Sequence, residues 1–283
     1  MPLVNMNELL LKADNENYAV GSFSVANMEM IIGAIKAAEE LNSPIILQIA
    51  EVRLKHSPLD IIGPSMIKAA EKSKVPVAIH FDHGLTIENI KKALSLGFTS
   101  VMIDGSSLDF LENIKITSLV EKLARDYGAA VEGEIGHVGG SEDGSEEGNI
   151  KVTDLEEARQ FINDTEIDAL AVAIGNSHGV YKGEPKLRFD ILTKLHDNLK
   201  IPLVLHGGSG ISEDDFKKCA TMGIRKINIA TATFNKVRDS VKNLNSNSKD
   251  YDYFTLHETE IQGAYENVEK HIKIFGSENK AGL

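Results

Sequence analysis

The run "VPVAIHFDH" (residues 75–83) indicates the fold class of this chain. It begins as a continuous apolar run, without the polar–apolar alternation of a strand that has one face in water. Such runs are typical of parallel strands that are covered on both faces. The run ends in two histidines and an aspartate, which are costly to bury without partners. It therefore predicts a buried parallel strand whose end is either a satisfied polar patch or the rim of a metal site.

Comparable runs recur along the whole chain and predict a barrel. Seven more occur at 18–25, 44–50, 100–106, 129–136, 169–176, 202–210 and 226–232. Helical spacing of apolar residues lies between them, at 27–42, 59–73, 86–97, 108–128 and 212–223. Eight strands alternating with helices predict an α/β fold, a (β/α)8 TIM barrel, with a doubly wound open sheet as the main alternative. Because no linker, low-complexity tract or break in composition interrupts the pattern, residues 1–283 are expected to form a single domain.

The composition excludes several classes of function. The net charge of −12 argues against a nucleic-acid or anionic-membrane surface. Cys219 is the only cysteine, so neither an intrachain disulfide nor a cysteine zinc cluster can form, and a reducing cytoplasm is expected. The chain contains no apolar run long enough to span a bilayer, and its first residues lack the features of a secretion signal. An anionic substrate would have to be held by local groups against this overall charge.

Histidines mark the predicted active-site end of the barrel. Three of the nine, His83, His178 and His206, follow three different apolar runs, each directly before a glycine. Active sites of such barrels lie at the carboxyl ends of the strands. Three neutral imidazoles with an open fourth position are a catalytic Zn²⁺ arrangement. The sequence therefore predicts one zinc ion per subunit, held by these three histidines.

Other polar groups at the same strand ends are assigned supporting roles. Glu134 and Asp104 are expected to orient the imidazoles or to be alternative ligands, unless they are only a charge pair in the barrel mouth. His80 is interpreted as a structural side chain one layer deeper, with a ligand role as its alternative.

Two glycine-rich turns predict an anion site. "HGGSG" (206–210) and "NIAT" (228–231) each follow a predicted strand and lead into a helix. Backbone N–H groups at such turns bind phosphate, and barrels often do so after strands seven and eight. The candidate contacts are Gly207, Gly208, Ser209, Asn228, Ile229, Ala230 and Thr231. The alternative is that the turns are tight only for packing.

The longest interruption of the strand–helix rhythm is "HVGGSEDGSEEGNIKVTD" (137–154). Loops of this length inside a compact domain are usually lids or disordered segments. Its acidic composition also suits a loop that is merely solvated.

These motifs together resemble the class II, metal-dependent ketose-bisphosphate aldolases, which include fructose- and tagatose-bisphosphate aldolases. The resemblance covers nearly the whole chain, and its motifs are "YAVGSFSVANME", "HFDHG", "GFTSVMIDGS", "VEGEIGHVGGSEDG", "NSHGVYKGEPKL", "PLVLHGGSGI", "KINIAT" and "FGSENKA".

The resemblance implies a reaction and a role for each site residue. A ketose phosphate would be split reversibly into dihydroxyacetone phosphate and an aldehyde, and zinc would stabilise the enediolate. Asp82 would exchange a proton with the aldehyde oxygen, and Glu142, in the 137–154 loop, would move the proton on carbon. The implied contacts to dihydroxyacetone phosphate are Gly179, Lys182, Gly207, Ser209, Asn228 and Thr231. A monovalent cation, Na⁺ or K⁺, near the phosphate and a homodimer or homotetramer are also implied.

Departures from the family pattern concern the far end of the substrate. Ser24, Ala50, Ala230, Ala232 and Phe234 replace side chains that many members use there. The segment 249–258 also lacks the arginine that many members carry. Arg53 and Lys55, in the loop after the second strand, are the candidate replacements, together with His56.

Two substrate hypotheses follow from these departures. In the first, fructose or tagatose 1,6-bisphosphate still binds through other cations. In the second, the same chemistry acts on a ketose 1-phosphate with a different distal group, such as sulfofructose 1-phosphate.

Two other classes of protein remain as alternatives. A zinc hydrolase could use three histidines and an activated water, but it would not require two phosphate turns. A non-catalytic barrel would be expected to have lost a ligand or the acid, and this sequence retains them.

Overall fold

A closed parallel barrel forms the centre of the molecule. The computed structural model describes residues 2–138, 151–177, 185–247 and 250–282. Its strands pair in chain order, and the eighth pairs with the first, which confirms the (β/α)8 barrel over the open sheet. The strands are β1 (Val20–Ser24), β2 (Ile45–Ala50), β3 (Val77–Gly84), β4 (Ser100–Ile103), β5 (Ala130–Ile135), β6 (Ala169–Val172), β7 (Leu203–Leu205) and β8 (Ile224–Ile229).

Helices surround the barrel and close one of its ends. They are α1 (Met6–Glu16), α2 (Met28–Glu40), α3 (Leu59–Lys72), α4 (Ile87–Leu96), α5 (Phe110–Arg125), α6 (Leu155–Thr165), α7 (Phe189–Asn198), α8 (Glu213–Thr221), α9 (Thr231–Asn247) and α10 (Tyr253–Phe275), with a 3₁₀ turn at Glu51–Arg53. The five helices predicted from apolar spacing are present as α2, α3, α4, α5 and α8. Ser212 caps α8, because its side chain accepts a hydrogen bond from the backbone N–H of Asp215 at 3.1 Å.

The strands are shorter than the apolar runs that predicted them. The runs 169–176 and 202–210 continue past β6 and β7, which end at Val172 and Leu205. The extra residues belong to the loops that follow, and these loops carry the polar and glycine residues. At the carboxyl end of the barrel, the regular strands therefore stop just before the residues of the candidate site.

The amino end of the barrel is sealed by apolar side chains. Helix α1 begins after Asn5, whose side chain accepts a hydrogen bond from the backbone N–H of Asn7. Its apolar face belongs to a buried cluster that also includes small residues from the beginnings of the strands. The members of this amino-end plug are Val4, Met6, Leu9, Leu10, Ala13, Tyr18, Val20, Ile46, Ala78, Ala130, Ala169, Ala171 and Val204.

The carboxyl end of β3 departs from regular strand geometry. Asp82 and His83 would point to opposite faces of a regular strand, and the sequence suggests that Gly84 permits the necessary turn. The structure puts the unusual conformation at His83 itself, with φ 41°, beside a register shift between Phe81 and Gly84. Gly84 serves a different purpose, since a Cβ there would lie 2.5 Å from the backbone oxygen of Met102. The two strands could not approach so closely with any other residue at this position.

None of the helices in the described part of the chain is long and apolar enough to cross a bilayer.

Candidate active site

The histidines and carboxylates predicted at the strand ends meet at the carboxyl mouth of the barrel. Asp82 and His83 lie at the end of β3, and His206 lies directly after β7. One nitrogen or oxygen from each of these three side chains lies within 4.8 Å of the others. His83, Asp104 and Glu134 form a second, overlapping group by the same measure. These are groups that could hold a metal ion, and they combine the imidazole and carboxylate donors that zinc accepts.

Asp104 orients the imidazole of His83. The Nδ1 atom of His83 lies 2.9 Å from Oδ2 of Asp104, which also accepts hydrogen bonds from Ser106 through Oδ1. Burial raises the pKa of the Asp104 carboxyl, but the hydrogen bond and charge of His83 outweigh it, so the net shift is downward. An ionised carboxylate can only accept, so Nδ1 of His83 carries the hydrogen. Nε2 is then the nitrogen with an available lone pair.

Glu134 indicates that a cation belongs at this site. Its Oε2 atom is buried, accepts no hydrogen bond from the described residues and lies 3.3 Å from Nδ1 of His206. Burial, and after it the nearby Asp104 carboxylate, raises the pKa of Glu134 to about 8. A buried oxygen without a donor is costly, and a divalent cation would satisfy it. The donor set therefore fits the metal ion that the sequence predicts.

Asp82 is held by two neutral amides. Gln48 donates from Nε2 to Oδ2 at 2.9 Å, and Asn228 donates from Nδ2 to Oδ1 at 3.1 Å. The carboxylate is fully buried, and Gln48 is fixed in turn by Ser22 and Ser24. Sequence reasoning missed Gln48 and Ser22, although a glutamine inside the apolar run "PIILQIA" is a signal that could have found the first of them.

A second layer of polar groups lies inside the barrel. Glu132 accepts a hydrogen bond from Nε2 of His206 at 2.6 Å and another from the ammonium of Lys226 at 2.7 Å. Burial raises the pKa of Glu132, but Lys226 and His206 outweigh it, so the net shift is downward. Burial also lowers the pKa of the His206 imidazole. Sequence reasoning gave no role to Glu132 and missed Lys226, because nothing local shows that a lysine in β8 reaches β5.

His80 lies between the two layers. Its Nδ1 atom is 2.9 Å from the hydroxyl of Ser100, and its Nε2 atom is 3.7 Å from Asp82 and 3.8 Å from Glu132. Burial lowers the pKa of His80 well below its ordinary value. The side chain is fully buried, and with Asp82 and Glu132 it forms a third group whose donor atoms lie within 4.8 Å of one another, so both its structural role and its alternative role as a ligand stay predictions.

The two predicted phosphate turns lie against each other. The Ser209 hydroxyl accepts a hydrogen bond from the backbone N–H of Ala232 at 3.1 Å, in the first turn of α9. Gly207 has φ 65°, and a Cβ on Gly208 would lie 2.9 Å from the backbone oxygen of Asn228. The loop after β7 thus packs on the start of α9, where backbone N–H groups and the helix dipole favour an anion. Ile229 ends β8, Ala230 follows it, and Thr231 begins α9.

The remaining residues predicted from the sequence are Arg53 and Lys55, which the structure describes, and four that it does not describe. Arg53 ends the 3₁₀ turn after β2, and its guanidinium lies 5.3 Å from the ring centre of Phe234. Lys55 is exposed. His178, Gly179, Lys182 and Glu142 lie outside the described residues, so their roles stay predictions.

Comparison with known proteins gives the family. The model of the class II fructose-bisphosphate aldolase family matches residues 4–280. A fructose-bisphosphate aldolase of Staphylococcus epidermidis is 38% identical over 285 residues, which cover 99% of this chain and 100% of that protein. The chain therefore belongs to the class II fructose-bisphosphate aldolase family, whose members are lyases.

The names of other relatives show that members of this family act on more than one substrate. A sulfofructosephosphate aldolase of Alkalicoccus urumqiensis is also 38% identical, over 99% of each chain. The solved structure of the YdjI aldolase from Escherichia coli K12 superimposes with a TM-score of 0.90 at 36% identity, covering 99% of this chain and 100% of that one. Relatives with different substrates are thus equally similar to this chain.

Proposed function

We propose that the chain is a zinc-dependent aldolase that reversibly cleaves a ketose 1-phosphate or ketose 1,6-bisphosphate to dihydroxyacetone phosphate and an aldehyde. The observation that carries this proposal is the grouping of Asp82, His83 and His206 within 4.8 Å at the carboxyl mouth of the barrel. His178 would be the third histidine ligand of one zinc ion per subunit. Glu134 and Asp104 would orient the ligands or replace one of them.

Asp82 is proposed as the acid and base of carbon–carbon cleavage. Bound zinc would supply a Lewis acid for the negative charge that develops on the ketose carbonyl oxygen. Asp82 removes the proton of the hydroxyl next to the breaking bond, and that oxygen becomes the aldehyde oxygen. The electron pair of the broken bond passes to the dihydroxyacetone phosphate half, whose carbon then takes a proton, for which we propose Glu142. Gln48 and Asn228 keep the Asp82 carboxylate in place throughout.

The substrate phosphate is proposed to bind where the two turns meet. Backbone N–H groups around Gly207, Gly208 and Ser209, and those at the start of α9, would supply its donors. Asn228, Ile229, Ala230 and Thr231 line the second turn, and Gly179 and Lys182 would complete the site by the family resemblance. A monovalent cation, Na⁺ or K⁺, would lie near this phosphate. The phosphate would therefore be held by local donors in a chain of net charge −12.

A second candidate is an aldolase whose ketose 1-phosphate has a non-phosphate anion, such as a sulfonate, at its far end, and Arg53 is proposed to bind the distal anion in either case. Ala50, which has no hydroxyl, pairs in register with Asp82. Three residues further along the chain, the Arg53 guanidinium packs over Phe234 at 5.3 Å. A planar guanidinium held in this way can bind a sulfonate, a carboxylate or a phosphate through two parallel hydrogen bonds. Sulfofructose 1-phosphate belongs to this candidate class.

The test is release of dihydroxyacetone phosphate from four substrates, each with and without a chelator. They are fructose 1,6-bisphosphate, tagatose 1,6-bisphosphate, fructose 1-phosphate and sulfofructose 1-phosphate. We expect cleavage that the chelator abolishes and zinc restores. Preference for a bisphosphate would support the first substrate hypothesis, and preference for the sulfonate would support the second. Cleavage that survives complete metal removal would contradict the proposal, and release of inorganic phosphate would indicate a hydrolase.

A variant of Arg53 tests the far end of the substrate separately. Arg53→Met is expected to lower kcat/KM about 10–100-fold for substrates with a distal anion, since a hydrogen bond to a charged group contributes about 1.5–3 kcal/mol. Fructose 1-phosphate, which has no distal anion, should lose little. Arg238→Met is the matched control, because Arg238 is an exposed arginine on α9. An equal loss for all substrates would show that Arg53 does not select the distal group.

Three further properties are proposed, the first from the unbroken strand–helix pattern, the second from the single cysteine and the third from the family resemblance. They are a single domain over residues 1–283, a cytoplasmic location, and assembly as a homodimer or homotetramer. Light scattering on the purified protein would measure the assembly, and a monomeric mass would contradict that part of the proposal.

A further inference from the structure

A buried row of three polar side chains crosses the barrel below the candidate metal site. Lys226 of β8 contacts Oε2 of Glu132 at 2.7 Å, and Oε1 of Glu132 contacts Nε2 of His206 at 2.6 Å. Glu132 lies on β5, and His206 follows β7. All three side chains are fully buried. The row thus joins one candidate metal ligand to an interior ion pair.

The direction of these hydrogen bonds determines which nitrogen of His206 carries the hydrogen. A lysine ammonium has only donors, so Glu132 accepts from Lys226 and its charge is balanced there. The other carboxylate oxygen accepts from His206, so Nε2 of that ring carries the hydrogen. In a neutral imidazole the opposite nitrogen then has the lone pair. That nitrogen, Nδ1, is the one 3.3 Å from Glu134, on the side of the candidate metal site.

The ion pair explains why this arrangement can persist in the interior. An isolated carboxylate or ammonium in a dry interior is costly, and each is tolerated when it is paired and hydrogen-bonded. Replacing such a pair with apolar residues is often neutral or stabilising. Stability alone therefore does not explain why charges are buried here. A role in positioning His206 would explain it.

We infer that Glu132, balanced by Lys226, is a positioning residue that fixes the tautomer and orientation of His206 and so sets the affinity of the site for zinc. This inference rests on the proposed function, because it takes His206 as a zinc ligand. Neither Glu132 nor Lys226 touches the substrate in this account, and both act through His206. Groups of this kind typically change metal affinity about 10–100-fold when they are replaced.

The first experiment measures zinc affinity without measuring catalysis. Glu132→Gln keeps the size of the side chain, but its amide oxygen accepts from Lys226, so its NH2 group faces Nε2 of the ring and favours the opposite tautomer. Zinc is titrated into the metal-free protein against a chelating dye. We expect about 10–100-fold weaker binding than in the wild type. The ¹⁵N shifts of the His206 ring in the metal-free protein should change from the tautomer with hydrogen on Nε2 toward the tautomer with hydrogen on Nδ1.

A second variant separates positioning from folding. Glu132→Gln leaves the Lys226 ammonium buried without its carboxylate, which could destabilise the fold by itself. Combining it with Lys226→Met removes both charges at nearly the same side-chain length. We expect this double variant to regain stability against urea but to keep the weakened zinc affinity. Recovery of wild-type affinity together with stability would show that the pair is only structural and would overturn the inference.

Arg225 provides a matched control in the same strand. It is the residue before Lys226, is also buried, and binds Asp14 through Nε. Arg225→Met should therefore lower stability without changing zinc affinity or the His206 ¹⁵N shifts. If the wild type itself binds no zinc, the proposed function fails. If the wild type and Glu132→Gln bind zinc equally, only the present inference fails.

Discussion

The two ends of the barrel are built from the same strands but differ in chemistry. Strand β3 begins with Val77 and Ala78 and ends with Asp82 and His83, and all of these residues are buried. At the amino end, the side chains of α1 and small strand residues form an apolar plug. At the carboxyl end, carboxylates, amides and imidazoles occupy positions of equal burial. Burial alone therefore does not separate packing from function in this fold, whereas position along the strand does.

The energetic terms at the two ends also differ. Burying apolar area at the amino end is favourable in itself, at roughly 25 cal/mol per Å². Burying polar groups at the carboxyl end is unfavourable until each has a partner. Side-chain amides donate hydrogen bonds to Asp82, and the ammonium of Lys226 pairs with Glu132. A bound cation would be the partner of the buried oxygen of Glu134. Substitutions at the amino end should accordingly change stability, and those at the carboxyl end should change activity.

The largest expected effect concerns Asp82. Asp82→Asn keeps the shape of the side chain and removes the proton acceptor of the proposed cleavage step. A positioned proton-transfer group contributes about 10²–10⁴-fold, so kcat should fall by that factor. The measurement is the rate of dihydroxyacetone phosphate release at saturating substrate, with zinc content determined on the same sample.

Asp168 is the control for this substitution at the opposite end. Its carboxylate accepts hydrogen bonds from the backbone N–H of Val131 at 2.8 Å and from Asn7 at 3.0 Å. Asp168→Asn removes the same charge, far from the candidate site, and should leave kcat within about twofold because it touches no reacting group. A similar loss of kcat in both variants would mean that the two ends are not functionally distinct.

A smaller effect, on stability alone, is expected at the amino-end plug. Leu10 of α1 is fully buried there. Leu10→Ala should lower the free energy of unfolding by about 2–5 kcal/mol, because it removes buried methyl groups and leaves a cavity. Urea unfolding measures this loss, and kcat/KM below the unfolding transition should remain that of the wild type. A variant that kept its stability but lost activity would reverse the contrast between the two ends.

The smallest expected effect is a dependence of stability on pH that originates behind the phosphate turns. Burial is the first cause that lowers the pKa of His271 in α10 to about 4, with Lys270 acting in the same direction and Glu213 against it. The unfolded chain then binds a proton that the folded chain does not, so stability is complete above about pH 6.5 and falls as the pH drops toward 4. His271 should contribute about 2 kcal/mol of the loss between pH 8 and pH 5, in addition to the buried His80 and His206, whose pKa values are also lowered.

Urea unfolding at several pH values measures this dependence. His271→Phe should remove the contribution of His271 and make the curve shallower between pH 7 and pH 5, since the ring already lies among Phe23, Phe216 and Phe275. A curve as steep as that of the wild type would assign the dependence to other groups.

Local sequence patterns were sufficient for most of the fold. Continuous apolar runs identified all eight strands, because a strand that is covered on both faces has apolar residues at nearly every position. The position of the candidate site could also be predicted, since histidines follow several of the apolar runs in this chain and the carboxyl ends of barrel strands lie together. The pattern did not give the conformation of His83, because φ 41° is set by pairing with β4 and not by the residue itself.

The interior polar pairs could not be predicted for a related reason. Lys226 and Glu132 are far apart in sequence, and each by itself resembles a charged residue at the edge of a strand. Only the closed barrel brings β5 and β8 to opposite sides of one interior. Gln48 was less hidden, because it interrupts an apolar run, but only the structure shows that its partner is Asp82 on the neighbouring strand.

The pairing that closes the barrel also constrains how the chain can be synthesised and folded. Val20, Gly21, Ser22 and Phe23 pair with Lys226, Ile227, Asn228 and Ile229, which lie at the other end of the sequence. A chain emerging from the ribosome therefore carries β1 with one unpaired edge until β8 has been made. Such sequence-distant pairing slows folding, and unpaired strand edges promote aggregation. Chaperone demand during translation should consequently be governed by the last strand of the barrel, long after the first metal ligand has been synthesised.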